Sequence, residues 1–414
     1  MSAHFIELQD SLTHLTLAPA IGGSIVNWQV IGSGQPLLRH SDEHAVNTGL
    51  PGKLGCYPLA PWSNRIAEGG FDNPDGWLAL SANSLTDPLP IHGSAWQQAW
   101  QVVSQSVDEV VLEVMCDTPF AYRAEQRFRL VNGELSIALT VTHLAEKPAW
   151  HGLGLHPYLP RQPGTRLQAK ASQVWLSDAS KLPTGLAPVP AEWDFQQLKA
   201  LPQGLVDNGF CQWDGHCRIE QPELGYALEC QASGADYFLL YCPPGLGFFC
   251  IEPVSHPVNA HHLPGRPGLK LLEQHQPAHL AFNLKYSPNV GAGLLANAVH
   301  QACANSACSS ASNSALSVCP MIWLVIAPAA IEPFTFNAVR PMSISGSTEI
   351  SNATSDTGKP IAGSTISAAN VAPPPTPATP AELKVTIATR VAIHSGSSGL
   401  MPTVGATITA NMAG

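Results

Sequence analysis

One stretch of the chain, RFRLVNGELSIALTV (127–141), constrains the fold more than any other. Two runs of alternating apolar and polar residues flank Asn132 and Gly133. An Asn-Gly pair readily adopts positive φ at both central positions of a type I′ turn, which joins two antiparallel strands. The stretch therefore predicts a β-hairpin with one buried face and one exposed face.

Similar stretches recur through the first 288 residues, separated by Gly, Pro and Asn. They are LTHLTLAPA (12–20), SIVNWQVIG (24–32), AWQVVSQSVDEVVLEVMC (99–116), CRIEQPELGYALECQA (217–232) and DYFLLYC (236–242). Helix signals are scarce in the same region, and no Gly-rich phosphate loop stands between a strand and a helix. The pattern predicts an all-β fold, namely a large antiparallel sandwich.

The charged residues divide the chain near residue 288. The 414 residues include 20 Lys or Arg and 30 Asp or Glu, a net charge of −10. Residues 289–414 are rich in Ala, Ser, Thr and Pro and contain only eight charged residues: Glu332, Arg340, Glu349, Asp356, Lys359, Glu382, Lys384 and Arg390. We therefore predict a globular domain over 1–287 and a low-complexity C-terminal tail over 288–414. The tail is either flexible or was never selected for folding, and has no catalytic role.

Composition also excludes several classes of protein. A nucleic-acid partner requires a basic surface, which a net charge of −10 does not favour. The sequence contains no run of eighteen apolar residues, so no membrane-spanning helix is predicted. The first ten residues, MSAHFIELQD, lack the features of a secretory signal. The cysteines before residue 288 show no Cys-x-x-Cys spacing, so we expect reduced, mostly buried thiols and a cytoplasmic protein.

Residues that could carry chemistry cluster in five segments. These are PLAPWSNRIAEGGF (58–71) with Asn64 and Arg65, LPIHGSAW (89–96) with His92, WHGLGLHPYL (150–159) with His156 and Tyr158, LVDNGF (205–210) with Asp207, and FFCIEPVSHPVNAHH (248–262) with Glu252. Most of them have an ordinary structural interpretation too. Asn64 and Arg65 could tie a loop together, Asp207 suits a turn, and His156 could be a half-buried structural residue.

Glu252 gives a sharper signal. It follows the apolar strand FFCI and precedes Pro253, where strands usually end. A carboxylate in such a place requires partners or a raised pKa, and both conditions recur at active sites. By contrast, His256, His261 and His262 match no common metal-ligand spacing, so no metal site and no cofactor are predicted. A serine hydrolase is disfavoured because no Gly-x-Ser-x-Gly motif occurs before residue 288.

Taken together, these segments resemble the aldose 1-epimerase (galactose mutarotase) family over about 5–286. The resemblance rests on Asn-Arg-Ile in PWSNRI, His-Gly in PIHG, His-x-Tyr in LHPYL, the Asp of VDNGF and Glu-Pro in CIEPVSHPVNA. The order and spacing of these short motifs carry it, and the HPYL form is similar to a bacterial branch. The resemblance implies a β-supersandwich, no cofactor and a small-molecule aldose substrate.

The resemblance also implies roles for individual residues. His156 matches the general acid and Glu252 the general base of a reaction that interconverts α and β anomers. The positions implied to bind the sugar are Asn64, Arg65, His92 and Asp207, with Tyr158 and Phe249 lining the pocket. The chain departs from the commoner form of the family in one respect, since Pro157 follows His156.

Two alternatives remain open at this point. A hexose-6-phosphate 1-epimerase would have the same fold but would need a basic cluster for the phosphate, and the candidates are Arg123, Arg161 and Arg266. A sugar-binding or regulatory module would keep the fold without the chemistry. Such a module would have no need of both His156 and Glu252.

Overall fold

The computed structural model describes residues 5–288 and two short strands, β25 (Thr386–Ile387) and β26 (Ala406–Thr407). The chain divides into two units, Met1–Ala311 and Ser312–Gly414. In the second unit, β25 and β26 pair in antiparallel fashion. Apart from these strands, the predicted tail lies outside the described residues, and the division at residue 288 stays a prediction.

Strands dominate the described part of the first unit. They are β1 (Ile6–Gln9), β2 (Thr13–Ala18), β3 (Ser24–Val30), β4 (Pro58–Leu59), β5 (Gly70–Asn73), β6 (Gly76–Ala79), β7 (Gln101–Gln105), β8 (Glu109–Cys116), β9 (Tyr122–Val131), β10 (Glu134–His143), β11 (Ala149–His151), β12 (Gly154–Leu155), β13 (Tyr158–Pro160), β14 (Arg166–Ala169), β15 (Gln173–Ser177), β16 (Pro183–Pro188), β17 (Lys199–Ala200), β18 (Val206–Cys211), β19 (His216–Gln221), β20 (Tyr226–Ser233), β21 (Tyr237–Cys242), β22 (Phe248–Val254), β23 (Lys270–Leu272) and β24 (Pro277–Pro288). Helical structure in this range is limited to α1 (Glu43–Asn47) and to single turns at Pro51–Lys53, Ala95–Gln97, Ala191–Trp193, Pro222–Leu224 and Ala260–His262.

Two large antiparallel sheets form the body of this unit. One has nine strands in the order β17-β14-β19-β20-β24-β10-β9-β8-β7. The other has eight, in the order β16-β15-β18-β21-β22-β12-β4, with β13 also paired to β22. Smaller sheets are β1-β2-β3, β11-β23 and β5-β6. The prediction of a large all-β antiparallel sandwich is confirmed.

The predicted hairpin forms β9 and β10, two interior strands of the nine-stranded sheet. Val131 pairs with Glu134, so the connection is the two-residue loop Asn132-Gly133, with φ of 52° and 73°. Along β10 every second residue is buried, which is the alternation that the sequence predicted. The buried side chains of this strand join one core with aromatic residues of the opposite sheet, among them the stacked rings of Phe210 and Phe238.

The strand β22 determines where the site forms. It pairs with β21 along one edge, while two short strands share its other edge. There β13 pairs with Phe248–Cys250 and β12 pairs with Val254, with His156 and Pro157 between the two short strands. The edge partner is therefore interrupted opposite Glu252. The strand itself continues through Pro253, beyond the point where the sequence suggested that it ends.

The seven cysteines between residues 5 and 288 are all free and buried, as the sequence predicted. They are Cys56, Cys116, Cys211, Cys217, Cys230, Cys242 and Cys250. Within the described residues, no helix has the length and apolar character needed to cross a membrane.

Candidate active site

The interruption in the edge of β22 places an imidazole against a carboxylate. Nε2 of His156 lies 3.3 Å from Oε1 of Glu252, and the two residues are only 7% and 1% exposed. The main chain fixes the histidine, because its N–H donates to the carbonyl of Tyr57. An acid and a base thus face each other in a protected site, the arrangement that general acid–base chemistry requires.

Two tyrosine rings orient the imidazole of His156. Tyr57 stacks on it at 4.8 Å between ring centroids, and Tyr158 at 4.6 Å. The guanidinium of Arg39 lies 3.7 Å from the centre of the Tyr158 ring, held there by hydrogen bonds to the carbonyls of Gly52 and Leu54. These contacts leave the His156 ring little freedom to rotate, so its position relative to Glu252 is set before any ligand arrives.

Burial shifts the proton balance of this pair. It raises the pKa of Glu252 well above its usual value, and the charge of Asp207 raises it further while Arg65 lowers it. Burial lowers the pKa of His156 to about 3, and the charge of Arg39 acts in the same direction. Both shifts favour uncharged groups. The carboxylic acid with neutral imidazole and the carboxylate with imidazolium hold the same single proton, and burial shifts the balance between these two states toward the neutral pair.

Two polar atoms of the pair have no partner inside the protein. Oε2 of Glu252 and Nδ1 of His156 are buried and make no hydrogen bond. Leaving such an atom unpaired costs about 1–3 kcal/mol, and a buried group of this kind calls for an explanation. A polar ligand bound between these residues would provide one.

His92 is held beside the pair by backbone interactions. The N–H of Asn64 donates to Nδ1 of His92 at 3.1 Å, while the N–H of His92 donates to the carbonyl of Asn64 at 3.0 Å. Because a backbone N–H can only donate, Nδ1 must be unprotonated. Burial, with the nearby His156 and Arg65, lowers the pKa of His92 well below its usual value. The neutral ring therefore carries its proton on Nε2 and presents a fixed donor.

The backbone at His92 and Gly93 is in the left-handed region, with φ of 63° and 69°. This conformation is costly for histidine. A Cβ on Gly93 would lie 2.0 Å from the carbonyl oxygen of Ala60, so only glycine fits there. The chain thus accepts local strain in order to bring the His92 ring against Asn64.

Arg65 lies between two carboxylates. Its Nε donates to Oδ2 of Asp87 at 2.7 Å, and its Nη1 lies 4.0 Å from Oδ2 of Asp207. Its Nη1 also donates to Oδ1 of Asn64. Asp87 was not among the residues predicted from the sequence, since its segment SLTDPLP is typical of an ordinary turn. The contact of Arg65 with Asp87 is nevertheless shorter than its contact with Asp207, and it sets the orientation of the guanidinium.

Strand register brings Asp207 to the same side as Glu252. Asp207 pairs with Tyr241, which pairs with Cys250, and Cys250 lies two residues before Glu252. Because side chains alternate along a strand, these residues share one face of the eight-stranded sheet. Burial raises the pKa of Asp207, whereas Arg65 and Lys181 lower it and Asp87 raises it.

Phe249 is the one predicted site residue that the structure does not bring to this face. It is fully buried in the core between the sheets, three residues and thus an odd number from Glu252. Its neighbour Phe248 is four residues, an even number, from Glu252 and therefore lies on the same face of the sheet. Phe248 contacts the Tyr158 ring at 5.3 Å between centroids. Counting by twos from Glu252 would have found Phe248. The other seven predicted residues are Asn64, Arg65, His92, His156, Tyr158, Asp207 and Glu252, all described above.

The histidines of the 255–262 segment have other surroundings. Nε2 of His256 accepts the N–H of Ser63, and His262 bonds the carbonyl of Gly70. His261 packs against Phe71 and makes no hydrogen bond through its ring. Among residues 5–288, side chains suited to hold a metal come together instead at His156, Cys250 and Glu252, whose ligand atoms lie within 4.8 Å of one another. Cys250 was not among the site residues predicted from the sequence.

The sequence of the chain matches a known protein family. The sequence profile of aldose 1-epimerase matches residues 5–277. The chain belongs to the aldose 1-epimerase family. An uncharacterised Escherichia coli K12 protein, YphB, is 36% identical over 239 residues, which are 55% of this chain and 81% of that protein.

Solved structures of aldose 1-epimerase type agree with the fold. A candidate aldose 1-epimerase from Escherichia coli K12 superposes with a TM-score of 0.66 at 30% identity, covering 69% of this chain and 100% of that one. A galactose mutarotase-like protein from Clostridium acetobutylicum gives 0.61 at 17% identity, covering 69% and 96%. The second likeness shows the fold alone. Membership of the aldose 1-epimerase family indicates an isomerase acting on a small sugar.

Proposed function

We propose that the chain is a mutarotase that interconverts the α and β anomers of a free aldohexose. The observation that carries the proposal is the buried contact of His156 with Glu252, each with an unpaired polar atom. Anomer exchange needs one base at the C1 hydroxyl and one acid at the ring oxygen, with no cofactor. A facing carboxylate and imidazole provide these two groups.

In the proposed reaction Glu252 removes the proton of the C1 hydroxyl while His156 donates a proton to the ring oxygen. The C1–O5 bond breaks and the sugar opens to the aldehyde. Rotation about C1–C2 exposes the other face of the carbonyl. As the ring closes, Glu252 gives its proton to the carbonyl oxygen and His156 takes a proton back from the O5 hydroxyl. Ring opening converts carboxylate and imidazolium into carboxylic acid and imidazole, so the pair holds one proton throughout.

Burial supports this cycle. In water the ordinary pKa values favour the imidazolium and carboxylate by about two units, or roughly 2.7 kcal/mol. Raising the pKa of Glu252 and lowering that of His156 reduces this preference. The neutral pair that ring opening produces is then no longer disfavoured relative to the charged pair, which supports proton transfer in both directions.

The remaining polar groups suit a neutral sugar. Arg65, His92 and Asn64 offer donors, and Asp87 and Asp207 offer acceptors. Because Arg65 already interacts with two carboxylates, little of its charge is available for a phosphate.

The arginines considered for a phosphate have separate partners. Arg123 lies 3.7 Å from Glu113, Arg161 bonds the carbonyls of Pro243 and Pro202, and Arg266 bonds that of Asp72. This arrangement favours a free aldose over a hexose 6-phosphate.

The test is a comparison of substrates with the purified chain. Polarimetry or NMR exchange would follow the equilibration of α-D-glucose, α-D-galactose and glucose 6-phosphate. We expect acceleration with at least one free sugar and a smaller effect with the phosphate ester. Preference for the phosphate ester would favour the hexose-6-phosphate epimerase instead, and no acceleration with any sugar would favour a binding module.

A further inference from the structure

We propose that His156, Cys250 and Glu252 form a three-ligand site for a borderline-soft divalent cation such as zinc, which binds in competition with the sugar. One ring nitrogen, one sulfur and one carboxylate oxygen from these residues lie within 4.8 Å of one another, and all three residues are buried. This combination of donors is typical of zinc in proteins.

The geometry requires only a small adjustment. Zinc–ligand bonds of about 2.0–2.3 Å in a tetrahedral arrangement place the ligand atoms about 3.3–3.8 Å apart. Nε2 of His156 and Oε1 of Glu252 are already 3.3 Å apart. The other ligand atoms, which lie within 4.8 Å of one another, must therefore approach by at most about 1 Å, and rotation of the Cys250 and Glu252 side chains can supply this while His156 stays fixed.

Strand geometry holds two of the ligands together. Cys250 and Glu252 are two residues apart on β22 and so share one face of the sheet. The interrupted edge of this strand supplies His156 as the third ligand. Three protein ligands from a rigid sheet, with a fourth position open, is the usual composition of an accessible zinc site.

An independent observation points to a ligand at the same place. Oε2 of Glu252 is buried and has no hydrogen-bond partner, and the same is true of Nδ1 of His156. A cation bound by the carboxylate would compensate that buried oxygen. Cys250 is fully buried, and its thiol is free of any disulfide.

Charge both favours and opposes the cation. A thiolate and a carboxylate would neutralise a divalent ion, and Asp207 adds a further negative charge nearby. The guanidinium of Arg39 acts against binding, since its charge reaches both His156 and Cys250. Burial raises the pKa of the Cys250 thiol, so the ion must displace that proton, which passes to the buffer as the zinc–sulfur bond forms.

The consequence for activity rests on the proposed function. A bound ion would occupy the two groups that move protons, so zinc would inhibit anomer exchange and saturating sugar would oppose it. Zinc would thus act as an inhibitor of the site. In the proposed reaction the metal-free site is the active form, because a metal-bound acid and base would not be free to exchange protons with the sugar.

Cobalt(II) is the probe for binding, because a cobalt–thiolate bond gives a near-ultraviolet charge-transfer band that needs no enzyme activity. We expect the band in the full chain and its loss in Cys250→Ala. The matched control is Cys242→Ala, since Cys242 is equally buried on the adjacent strand but lies on the other face. That variant should keep the band unchanged.

The affinity of the variants completes the test. Mutation of residues that only hydrogen-bond to metal ligands lowers metal affinity by about 10–100-fold. Loss of a ligand itself, in Cys250→Ala or Glu252→Gln, should therefore lower the cobalt affinity by about 100-fold or more. Absence of the band in the wild-type chain, or its persistence in Cys250→Ala, would overturn the proposal. If Cys250→Ala does not fold, unchanged cobalt affinity in Glu252→Gln would do so. A chain that shows the band but accelerates no sugar would overturn only the proposed mutarotase activity.

Discussion

Nε2 of His156 lies 3.3 Å from Oε1 of Glu252 because the chain leaves the sheet edge for two residues at the point where Glu252 faces it. Glu252 lies on β22, where the pairing with β21 is continuous, and His156 lies in the gap between β12 and β13 on the other edge of β22. The pair is therefore assembled by the sheet. A mobile loop is not required to bring the two groups together.

The first prediction concerns this pair. Glu252→Gln and His156→Asn each remove one proton-transfer group; the first preserves the side-chain volume and the second leaves a smaller polar side chain. Each should lower kcat for anomer exchange by about 10²–10⁴-fold, the usual contribution of a positioned acid or base. NMR exchange measures the rate, and circular dichroism checks the fold. Glu146→Gln, at an exposed position, is the matched control and should keep the full rate. Full rates in both site variants would contradict the assigned roles.

The second prediction concerns Asp87, the partner of Arg65. Asp87→Asn removes the charge that holds the guanidinium at 2.7 Å. A hydrogen bond to a charged group contributes about 1.5–3 kcal/mol, so kcat/KM should fall by about tenfold or more, mainly through KM. Steady-state kinetics on the preferred sugar measures this. Asp117→Asn, at an exposed site, should leave both constants unchanged. An unaltered KM in Asp87→Asn would show that Asp207 alone suffices to position Arg65.

The third prediction separates two adjacent phenylalanines. Phe249 is fully buried between the sheets, so Phe249→Ala should lower the free energy of unfolding by about 3–5 kcal/mol. Phe248 lies on the site face against Tyr158 and Arg39. Phe248→Ala should cost less stability and should alter KM. Urea unfolding and kinetics on both variants give the comparison. The reverse pattern would mean that Phe249, as the sequence implied, lines the pocket.

The fourth prediction concerns acid stability. Burial lowers the pKa of His151 to about 3 and of His256 to about 4, and that of His261 well below its usual 6.5. The charge of His143 also lowers the pKa of His151, and the charges of His256, His262, Arg266 and His151 lower that of His261. An unfolded chain binds protons here below about pH 6.5 while the folded chain does not. Each histidine therefore contributes stability that is present above pH 6.5 and is lost as the pH falls toward 3–4.

Below pH 6.5, each such histidine should reduce the free energy of unfolding by about 1.4 kcal/mol per pH unit. The raised pKa of Glu252 acts in the opposite sense, because it costs stability as the pH rises above 4.5. Urea midpoints between pH 7 and 5 should therefore fall with acidification. His261→Leu removes one of these titrating groups. It should reduce the pH dependence of the free energy of unfolding by about one proton, or about 1.4 kcal/mol per pH unit. An identical slope in that variant would show that His261 is charged in the folded chain.

The fifth prediction concerns the low-complexity tail. A chain that ends at Pro288 keeps the whole of β24, which pairs with both β10 and β20. It should unfold at the same urea concentration as the full chain and have the same rate of anomer exchange. Loss of folding or activity in the shortened chain would show that residues after 288 belong to the domain.

Much of the fold followed from local sequence. Alternation of apolar residues predicted the long strands, and Asn132-Gly133 predicted the central turn, since both signals depend on near neighbours only. The five polar segments likewise contained most of the groups that meet at the site, although Arg39, Tyr57 and Asp87 lie outside them. Strand β22 was misjudged at its end, because whether Pro253 can continue a strand depends on the neighbouring edge, which the local sequence does not specify.

Other features required the three-dimensional arrangement. Asp87 has no local signal that distinguishes it from a turn residue, because its role depends on meeting Arg65 from another segment. Cys250 and Phe248 were available by counting from Glu252 along one strand face. The resemblance pointed to Phe249 instead, and an odd separation from Glu252 turns that side chain into the core.

The two-residue gap between Leu155 and Tyr158 makes the spacing of acid and base depend on chain length. Substitutions around the pocket leave this spacing intact, so sugar preference can be altered through side chains. One added or deleted residue in the gap would shift β13 by one position and turn its side chains to the opposite face. A redesign of sugar preference can therefore change lining side chains but must keep the number of residues in the gap.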